Sequence, residues 1–507
     1  MKILNAKQIK EADAFTIAHE PIASIDLMER AAMACTEEIR EVFSKEQPFY
    51  IFCGTGNNGG DGLAIGRLLY DEGFQTEIYV LDFSGKESED FTINKNRLLH
   101  RGISLKSFSE GIAFPEIPYN AVIIDAIFGT GLSGPVKAEF TKVISNLNQY
   151  SERGIPVLSI DMPSGLFDED NRKNDFDNVV KAYLTLTFQV PKLSFLFPEN
   201  APYIGDWKVL DIQLNKEILA KIPTPYYFID FELAFPLLKR RHKFSHKGNF
   251  GHALMIAGSY GKMGAAVLAS KAALRSGAGL VSAHIPKCGY NIIQAALPEA
   301  MASIDRDEMM VSESIKTDAF SAIGMGPGIG LEKDTQNVLK VLIQNASQPL
   351  ILDADALNIL SENKTWLSFL PPNSILTPHP KEFERLAGRT SHSFDRLEMA
   401  MDFAKKHKAI LVLKGAFTAV CAPDGSVYFN SSGNPGMATG GSGDVLTGVI
   451  TGLAAQKIPP LEAAVLGVYI HGLAADMAAQ ENGETALIAG DIIDYLPKAF
   501  KFVEFQS

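Results

Sequence analysis

Short apolar runs alternate with segments of helical spacing along most of this chain. Phe49–Cys53 is apolar, a glycine-rich stretch follows, and a helical pattern covers Leu63–Tyr70. Glu77–Leu81 reads as a strand, a helical pattern runs on to His100, and the β-rich run Ala121–Ile124 ends in Asp125. A helix is predicted near Phe140–Leu147 and a strand over Ile155–Ile160, which ends in Asp161. Strands alternating with crossover-length helices predict a parallel sheet, whose ligands gather beyond the carboxyl ends of the strands. From Gly251 the alternation restarts: strands at Ala253–Ala257, Leu280–His284, Ala319–Ile323, Leu350–Leu352, Ile375–Thr377, Ala409–Leu413 and Thr418–Cys421, helices at Ala265–Arg275 and Thr335–Ile343, and long helical patterns from Val445 onward. A junction is expected between Asp211 and Phe250, so residues 1–225 and 226–507 are the predicted domains.

The length of 507 residues also points to two domains. Hydrophobic residues at 46% and charged ones at 21% describe a globular protein, and a net charge of −12 argues against nucleic-acid binding. The four cysteines, Cys35, Cys53, Cys288 and Cys421, form no C-x-x-C pair, as in a reducing compartment. The N-terminal residues lack an apolar signal core, and no apolar run approaches the ~18 residues of a membrane span. A cytoplasmic protein without membrane partners is expected, assembled as a homo-oligomer.

Two glycine-rich segments stand out, G-T-G-N-N-G-G-D-G at Gly54–Gly62 and G-M-A-T-G-G-S-G-D at Gly436–Asp444. Neither is a Walker A loop, but each precedes an apolar helical pattern and turns backbone amides toward an anion. In the first half, Asp125–Gly134 (D-A-I-F-G-T-G-L-S-G) and Asp161–Gly165 (D-M-P-S-G) also follow strands, so three glycine-rich, carboxylate-bearing segments converge on one crevice. Asn57, Asn58 and Asp61 offer oxygens to a cation, and Gly59 and Gly60 offer close backbone approach to a phosphate. Asp161 is the candidate proton carrier. Lys192 is either a second one or a buried salt-bridge lysine. The basic stretch Lys239–Lys247 reads as a solvated linker face, with His246 and Lys247 as alternative phosphate contacts.

These first-half motifs, in this order and spacing, resemble the NAD(P)H-hydrate epimerase family over roughly residues 1 to 215. The resemblance implies a Rossmann-like three-layer domain. It implies a K+ ion held by Asn58, Asp125 and Ser164. The hydrated nicotinamide cofactor (NADHX or NADPHX) would be contacted by Asn57, Asn58, Gly59, Gly60, Asp61, by Gly129, Thr130, Gly131, Leu132, Ser133, Gly134, Pro135, and by Asp161. Epimerising the hydroxyl-bearing carbon needs ring opening or loss and return of water, hence a proton donor and an acceptor.

In the second half, G-G-S-G-D resembles the anion-hole motif of ribokinase-like enzymes, with Asp444 placed to deprotonate a hydroxyl. The set H-K-G-x-x-G (His246–Gly251), I-A-G-S (Ile256–Ser259), G-M-G-P-G (Gly324–Gly328), D-A-D-A-L (Asp353–Leu357), T-P-H-P-K-E (Thr377–Glu382) and L-K-G-A (Leu413–Ala416) is similar to the NAD(P)H-hydrate dehydratase family over about residues 226 to 507. That resemblance implies a ribokinase-like α/β domain with Asp444 as catalytic base. It implies nucleotide contacts at Lys414, Gly415, Ala416, Phe417, Thr418 and Gly443, and hydrate contacts at Ala265, Gly328, His379 and Asp444. Mg2+ is expected with the nucleotide. The fused order resembles bacterial and archaeal members, which implies ADP as donor and AMP as product. His379 alternatively serves only its loop, and Asp353 and Asp355 either orient a bound group or are solvated. Two other readings stay open: a ribokinase-like small-molecule kinase with an appended nucleotide-binding domain, and a nucleotide-sensing N-terminal module without turnover.

Overall fold

The computed structural model describes residues 1–83, 85–108, 113–132 and 134–505. The chain divides into two compact units, Lys2–Thr224 with His392–Phe394, and Met1 with Pro225–Ser391 and Asp395–Ser507.

The first unit is built on a seven-stranded parallel sheet of β1 (Phe49–Cys53), β2 (Thr76–Leu81), β3 (Leu105–Phe108), β4 (Val122–Ala126), β5 (Val157–Ile160), β6 (Leu184–Phe188) and β7 (Asp206–Leu210). The order is β3-β2-β1-β4-β5-β6-β7. All five residues of β1 are buried, because alternate side chains enter different cores. Ile51 and Cys53 pack with Leu63, Ile65 and Leu69 of α3 (Asn57–Asp71) and with Ala32 and Cys35 of α2 (Ser24–Val42). Tyr50 and Phe52 pack on the other face with Phe140, Val143 and Ile144 of α5 (Ala138–Glu152). These helices, with α1 (Ala6–His19) and α4 (Glu89–His100), make a three-layer domain. The strand order reverses between β1 and β4, which opens a crevice where their carboxyl ends diverge.

The second unit carries a ten-stranded sheet of β8 (Tyr226–Ile229), β9 (His252–Ile256), β10 (Leu280–Ile285), β11 (Met301–Ile304), β12 (Ala322–Met325), β13 (Leu350–Leu352), β14 (Ile375–Leu376), β15 (Ile410–Leu413), β16 (Ala419–Cys421) and β17 (Val427–Asn430). The order is β11-β10-β9-β12-β13-β14-β15-β16-β17-β8, parallel from β11 to β15 and antiparallel across β15-β16-β17. The predicted junction thus contains a strand, β8, which pairs parallel with β17. Helix Ser442–Ala455 lies against helix Met263–Arg275 at very short range: a Cβ on Gly448 would meet the Ala269 carbonyl oxygen at 2.1 Å. That approach seats the first turn of Ser442–Ala455, with Asp444, over the strand ends.

Helix Pro460–Asn482 corrects the expectation about apolar runs. It has an 18-residue window of mean hydropathy 1.3, long and apolar enough to cross a membrane, but 72% of that window is buried inside the protein. Its Ala464, Leu466, Ile470 and Ala474 belong to the main core of the second unit, which accounts for the composition.

Candidate active sites

In the first unit a cavity of about 640 Å³ opens at the β1/β4 switch point. Its walls include Asn57, Asn58 and Asp61 from α3, Gly129, Thr130, Gly131, Leu132, Gly134 and Pro135 after β4, Asp161 after β5, and Ile9, Lys10 and Asp13 from α1. Ser133 lies outside the described residues. Gly59 and Gly60 do not line the cavity. The helix already begins at Asn57, so N-N-G-G-D is its first turn rather than a loop, and these two glycines face inward. A Cβ on Gly59 would fall 1.7 Å from the Gly54 carbonyl oxygen, and one on Gly60 would fall 2.8 Å from Met28 Sδ. Gly59 lets α3 pack against the end of β1, which draws the helix N-terminus down onto the crevice, and Gly60 lets it pack against α2 and α4.

Asp161 is the most constrained residue of this site. Its φ is 64°, and the Met162 amide donates to the Ile160 carbonyl at 2.8 Å, closing a γ-turn of the strained hand. A non-glycine residue held this way costs about 1–3 kcal/mol, typical of positions fixed for function. The turn aims the carboxylate at the loop after β4, where the Thr130 amide donates to Oδ2 at 3.0 Å. Lys192 Nζ, fully buried, lies 3.3 Å from Oδ1 and also donates to the Phe188 and Val190 carbonyls. Lys192 therefore forms a buried salt bridge, and its partner is Asp161.

At the ends of β4 and β5, Asp125 and Ser164 are bonded to each other, and Asn58, in the first turn of α3, lines the cavity. Asp125 Oδ1 accepts from Ser164 Oγ at 2.5 Å, and Oδ2 accepts from the Ser164 amide at 2.9 Å and Ser159 Oγ at 2.8 Å. Asn58 Nδ2 donates to the Ile160 carbonyl at 3.1 Å, whereas Asn58 Oδ1 is buried with no hydrogen-bond partner. Burial raises the Asp125 pKa, opposed by the hydrogen bonds from Ser164 and Ser159. No Lys, Arg or His among the described residues forms an ion pair with it. A wholly buried carboxylate without a counter-charge and an orphaned buried amide oxygen, both at the strand ends of this sheet, are oxygen donors of the kind that hold a cation. These residues fit a K+ ion.

In the second unit the candidate residues gather at the ends of β9, β12, β13, β14 and β15. Gly441, at φ 92°, turns the chain into helix Ser442–Ala455, and Asp444 lies in the first helical turn. Asp353, after β13, is buried and accepts from Lys414 Nζ at 2.9 Å and Thr447 Oγ1 at 2.7 Å. It is therefore not solvated but ties β15 to the Asp444 helix. A Cβ on Gly443 would lie 3.4 Å from Lys414 Nζ, so Gly443 and Lys414 are neighbours. The Gly415 amide donates to Thr418 Oγ1 at 3.3 Å, which closes the turn containing Ala416 and Phe417. Gly328, at φ 65°, approaches Ala265, since a Cβ there would lie 3.2 Å from Ala265 Cβ. Asp355 accepts from the Gly330 amide at 2.9 Å.

His379 is the N-cap of helix Pro380–Ala387: its Nδ1 accepts from the Lys381 amide at 3.1 Å while its own amide donates to Glu382 Oε2 at 2.9 Å. The ring is partly exposed and Glu382 lies 4.0 Å from Lys414 Nζ, so the cap also belongs to the site. Asp444 has its pKa pushed up to about 6, first by burial and then by Asp353, with Lys414 opposing. Two contributors carried no isolated sequence signal. Thr447 follows Asp444 by one helical turn, and buried His471 lies 3.5 Å from Ser442 Oγ with its pKa lowered to about 4, chiefly by burial.

The first unit thus holds a cleft at its sheet switch point, the second gathers glycine amides, carboxylates and Lys414 at its strand ends, and the two define a two-site α/β enzyme acting on anionic, nucleotide-like ligands. Residues 24–194 match the family model described as YjeF-related protein N-terminus, and residues 253–498 match that of NAD(P)H-hydrate dehydratase. The bifunctional NAD(P)H-hydrate repair enzyme Nnr of Moorella thermoacetica is 35% identical over 99% of this chain and 97% of its own. That of Coxiella burnetii is 35% identical over 97% of each chain, and that of Escherichia coli 31% identical over 93% of this chain and 89% of its own. Among solved structures, the ADP/ATP-dependent NAD(P)H-hydrate dehydratase of Bacillus subtilis, co-crystallised with ATP and Mg2+, is 32% identical with a TM-score of 0.49, covering 55% of this chain and 99% of that one. The chain belongs to the family of bifunctional NAD(P)H-hydrate repair enzymes.

Proposed function

We propose that the first unit interconverts the (6R)- and (6S)-hydrates of NADH and NADPH, and that the second dehydrates the (6S)-hydrate with ADP as phosphoryl donor, yielding AMP and phosphate. The observation that carries this reading is the match to bifunctional relatives along nearly the whole chain, with a formed cleft in the first half and Asp444, Asp353 and Lys414 gathered at strand ends in the second. The kinase alternative lacks such support, because the full-length relatives are named for hydrate repair.

In the second unit, ionised Asp444 takes the proton of the ring hydroxyl, and the oxygen forms a bond to the terminal phosphorus as the bond to AMP breaks. Phosphate then leaves C6 with the bonding pair, C5 gives its proton to the departing phosphate, and the C5–H pair forms the C5=C6 double bond of the reduced nicotinamide. The amides of Gly440–Gly443 face the transferred charge, and Lys414, fixed by Asp353, offsets it. Glu382 and Asp353, beside Lys414, are the carboxylates that would hold Mg2+, which needs only one or two and would offset the charge of the nucleotide phosphates. In the first unit, Asn58, Asp125 and Ser164 would hold K+, whose charge would balance the buried carboxylate, while Asp161 handles a proton at the ring.

Recovery of reduced-nicotinamide absorbance from a mixed (R,S) hydrate tests the proposal, with ADP, ATP or no nucleotide, in potassium and in sodium buffer. Full recovery with ADP in potassium is expected. Recovery limited to the (S) fraction refutes the epimerase assignment, and formation of a stable phosphorylated product refutes the dehydratase assignment.

A further inference from the structure

One acid in the wall of the first cavity has no part in the scheme above. Asp13 lies on α1, one helical turn after Ile9, and both face the cavity that also holds Asp61 and Asp161. The helix is pinned at its start: Asn5 and Gln8 cap each other, and the Ala6 amide donates to Asp168 Oδ2 at 2.7 Å. Near its end the Asn215 amide donates to Thr16 Oγ1 at 3.0 Å. Asp13 is therefore on a rigid element. Its carboxyl is half-buried and makes no hydrogen bond or ion pair with a described residue.

Three carboxyls share this cavity, and the buried ammonium of Lys192 lies against one of them, Asp161. Lys192 lies 3.3 Å from Asp161 and the Thr130 amide donates to Asp161 at 3.0 Å, so both of these donors sit against Asp161 and neither against Asp13. The charged groups facing Asp13 are Asp161 and Lys192, with Asp61 on α3 and Lys10 on its own helix. Burial, then Asp161, raises Asp13 to about 6 against the opposing effect of Lys192. Asp61 is held well above the carboxylate range, first by burial and then by Asp161 and Asp13, but it lies within α3 and is more deeply enclosed. Carboxyls placed in one desolvated pocket share protons rather than ionise together.

We propose that Asp13 is the second catalytic acid–base residue of the epimerase site, paired with Asp161; the proposal rests on the epimerase reading above. The Asp13 carboxyl gives its proton to the C6 hydroxyl, and the C6–O bond breaks with its electron pair leaving on water. The N1 lone pair forms the N1=C6 double bond. A water adds to the other ring face, making the new C6–O bond and returning the pair to N1, while Asp161 takes the proton that this water releases. One water leaves, one enters, and a single proton has moved from Asp13 to Asp161. The reverse epimerisation moves it back, so a pair sharing one proton serves both directions.

The test is the rate of (R)/(S) interconversion by the full chain, wild type against Asp13→Asn, in water enriched in oxygen-18. Wild type is expected to carry solvent oxygen into the C6 hydroxyl as it epimerises. Asp13→Asn is expected to lose about 100-fold or more in kcat in both directions, with little change in KM, and Asp13→Glu to recover part of it. Dehydration of pure (6S)-hydrate is expected to be unchanged in every variant. Wild type that does not epimerise at all refutes the underlying function. Wild type that epimerises while Asp13→Asn keeps its rate within about threefold, or epimerisation without oxygen exchange, overturns the role of Asp13 alone. Should Asp13→Asn abolish the first unit's thermal transition, Asp13→Ser decides by the same criteria.

Discussion

Replacing Asp444 by Asn separates a catalytic base from a helix-terminal charge, because the two roles move activity and stability in opposite directions. The carboxylate is mostly buried beside Asp353, and its pKa is pushed up to about 6. An Asp that ionises near 4 when unfolded and near 6 when folded favours the native state in its protonated form. That contribution is fully present below about pH 4 and is lost as pH rises through about 6. A shift of about two units corresponds to about 3 kcal/mol, the upper limit of what the ionised carboxylate costs the fold at neutral pH. Asp444→Asn removes this cost while leaving the glycine turn and its amides in place, so the second unit is expected to melt at a higher temperature at pH 8 and with little change at pH 4. A mere capping charge predicts the reverse, a loss of about 0.3–1 kcal/mol. Dehydration, followed by absorbance recovery from pure (6S)-hydrate, is expected to fall about 100- to 10,000-fold in the variant. In wild type it is expected to drop about tenfold between pH 7.5 and pH 5 as Asp444 takes up its proton. Near-normal turnover in Asp444→Asn, or a wild-type rate flat across that range, would refute Asp444 as the base.

Exchanging potassium for lithium is expected to slow epimerisation and leave dehydration alone, and Asn58→Leu, which removes the orphaned oxygen, is expected to abolish the difference between the two cations; equal epimerisation rates of wild type in both would refute the K+ assignment. Gly59→Ala places a methyl 1.7 Å from the Gly54 carbonyl, a backbone atom that cannot rotate away. Its cost is expected to reach a few kcal/mol, read as a lowered melting transition of the first unit with the second unchanged.

Much of this molecule was legible before its structure. The alternation of apolar runs and helical spacing implied two parallel-sheet units, because buried parallel strands must be apolar on both faces and their crossovers must be helical. The glycine and aspartate motifs mark strand ends, and their order carried the family resemblance. Strands β3 and β7 escaped because they lie at sheet edges, where exposed residues such as Lys106, Ser107 and Asp206 break the apolar run. The Leu-Thr-Leu-Thr-Phe of β6 does alternate and was within reach of a period-two reading. What only the tertiary structure decided is which side chains meet across long separations. Asp125 joins Ser164 thirty-nine residues on, Asp161 joins Lys192, and Asp353 joins both Lys414 and Thr447. The structure also converts the first glycine loop into a helical turn and brings Asp13 from a distant helix to the cavity wall. Local pattern reports the period and burial of each segment. The order in which strands pair, and the close approaches that glycine permits, determine which segments end beside one another, and that information is non-local.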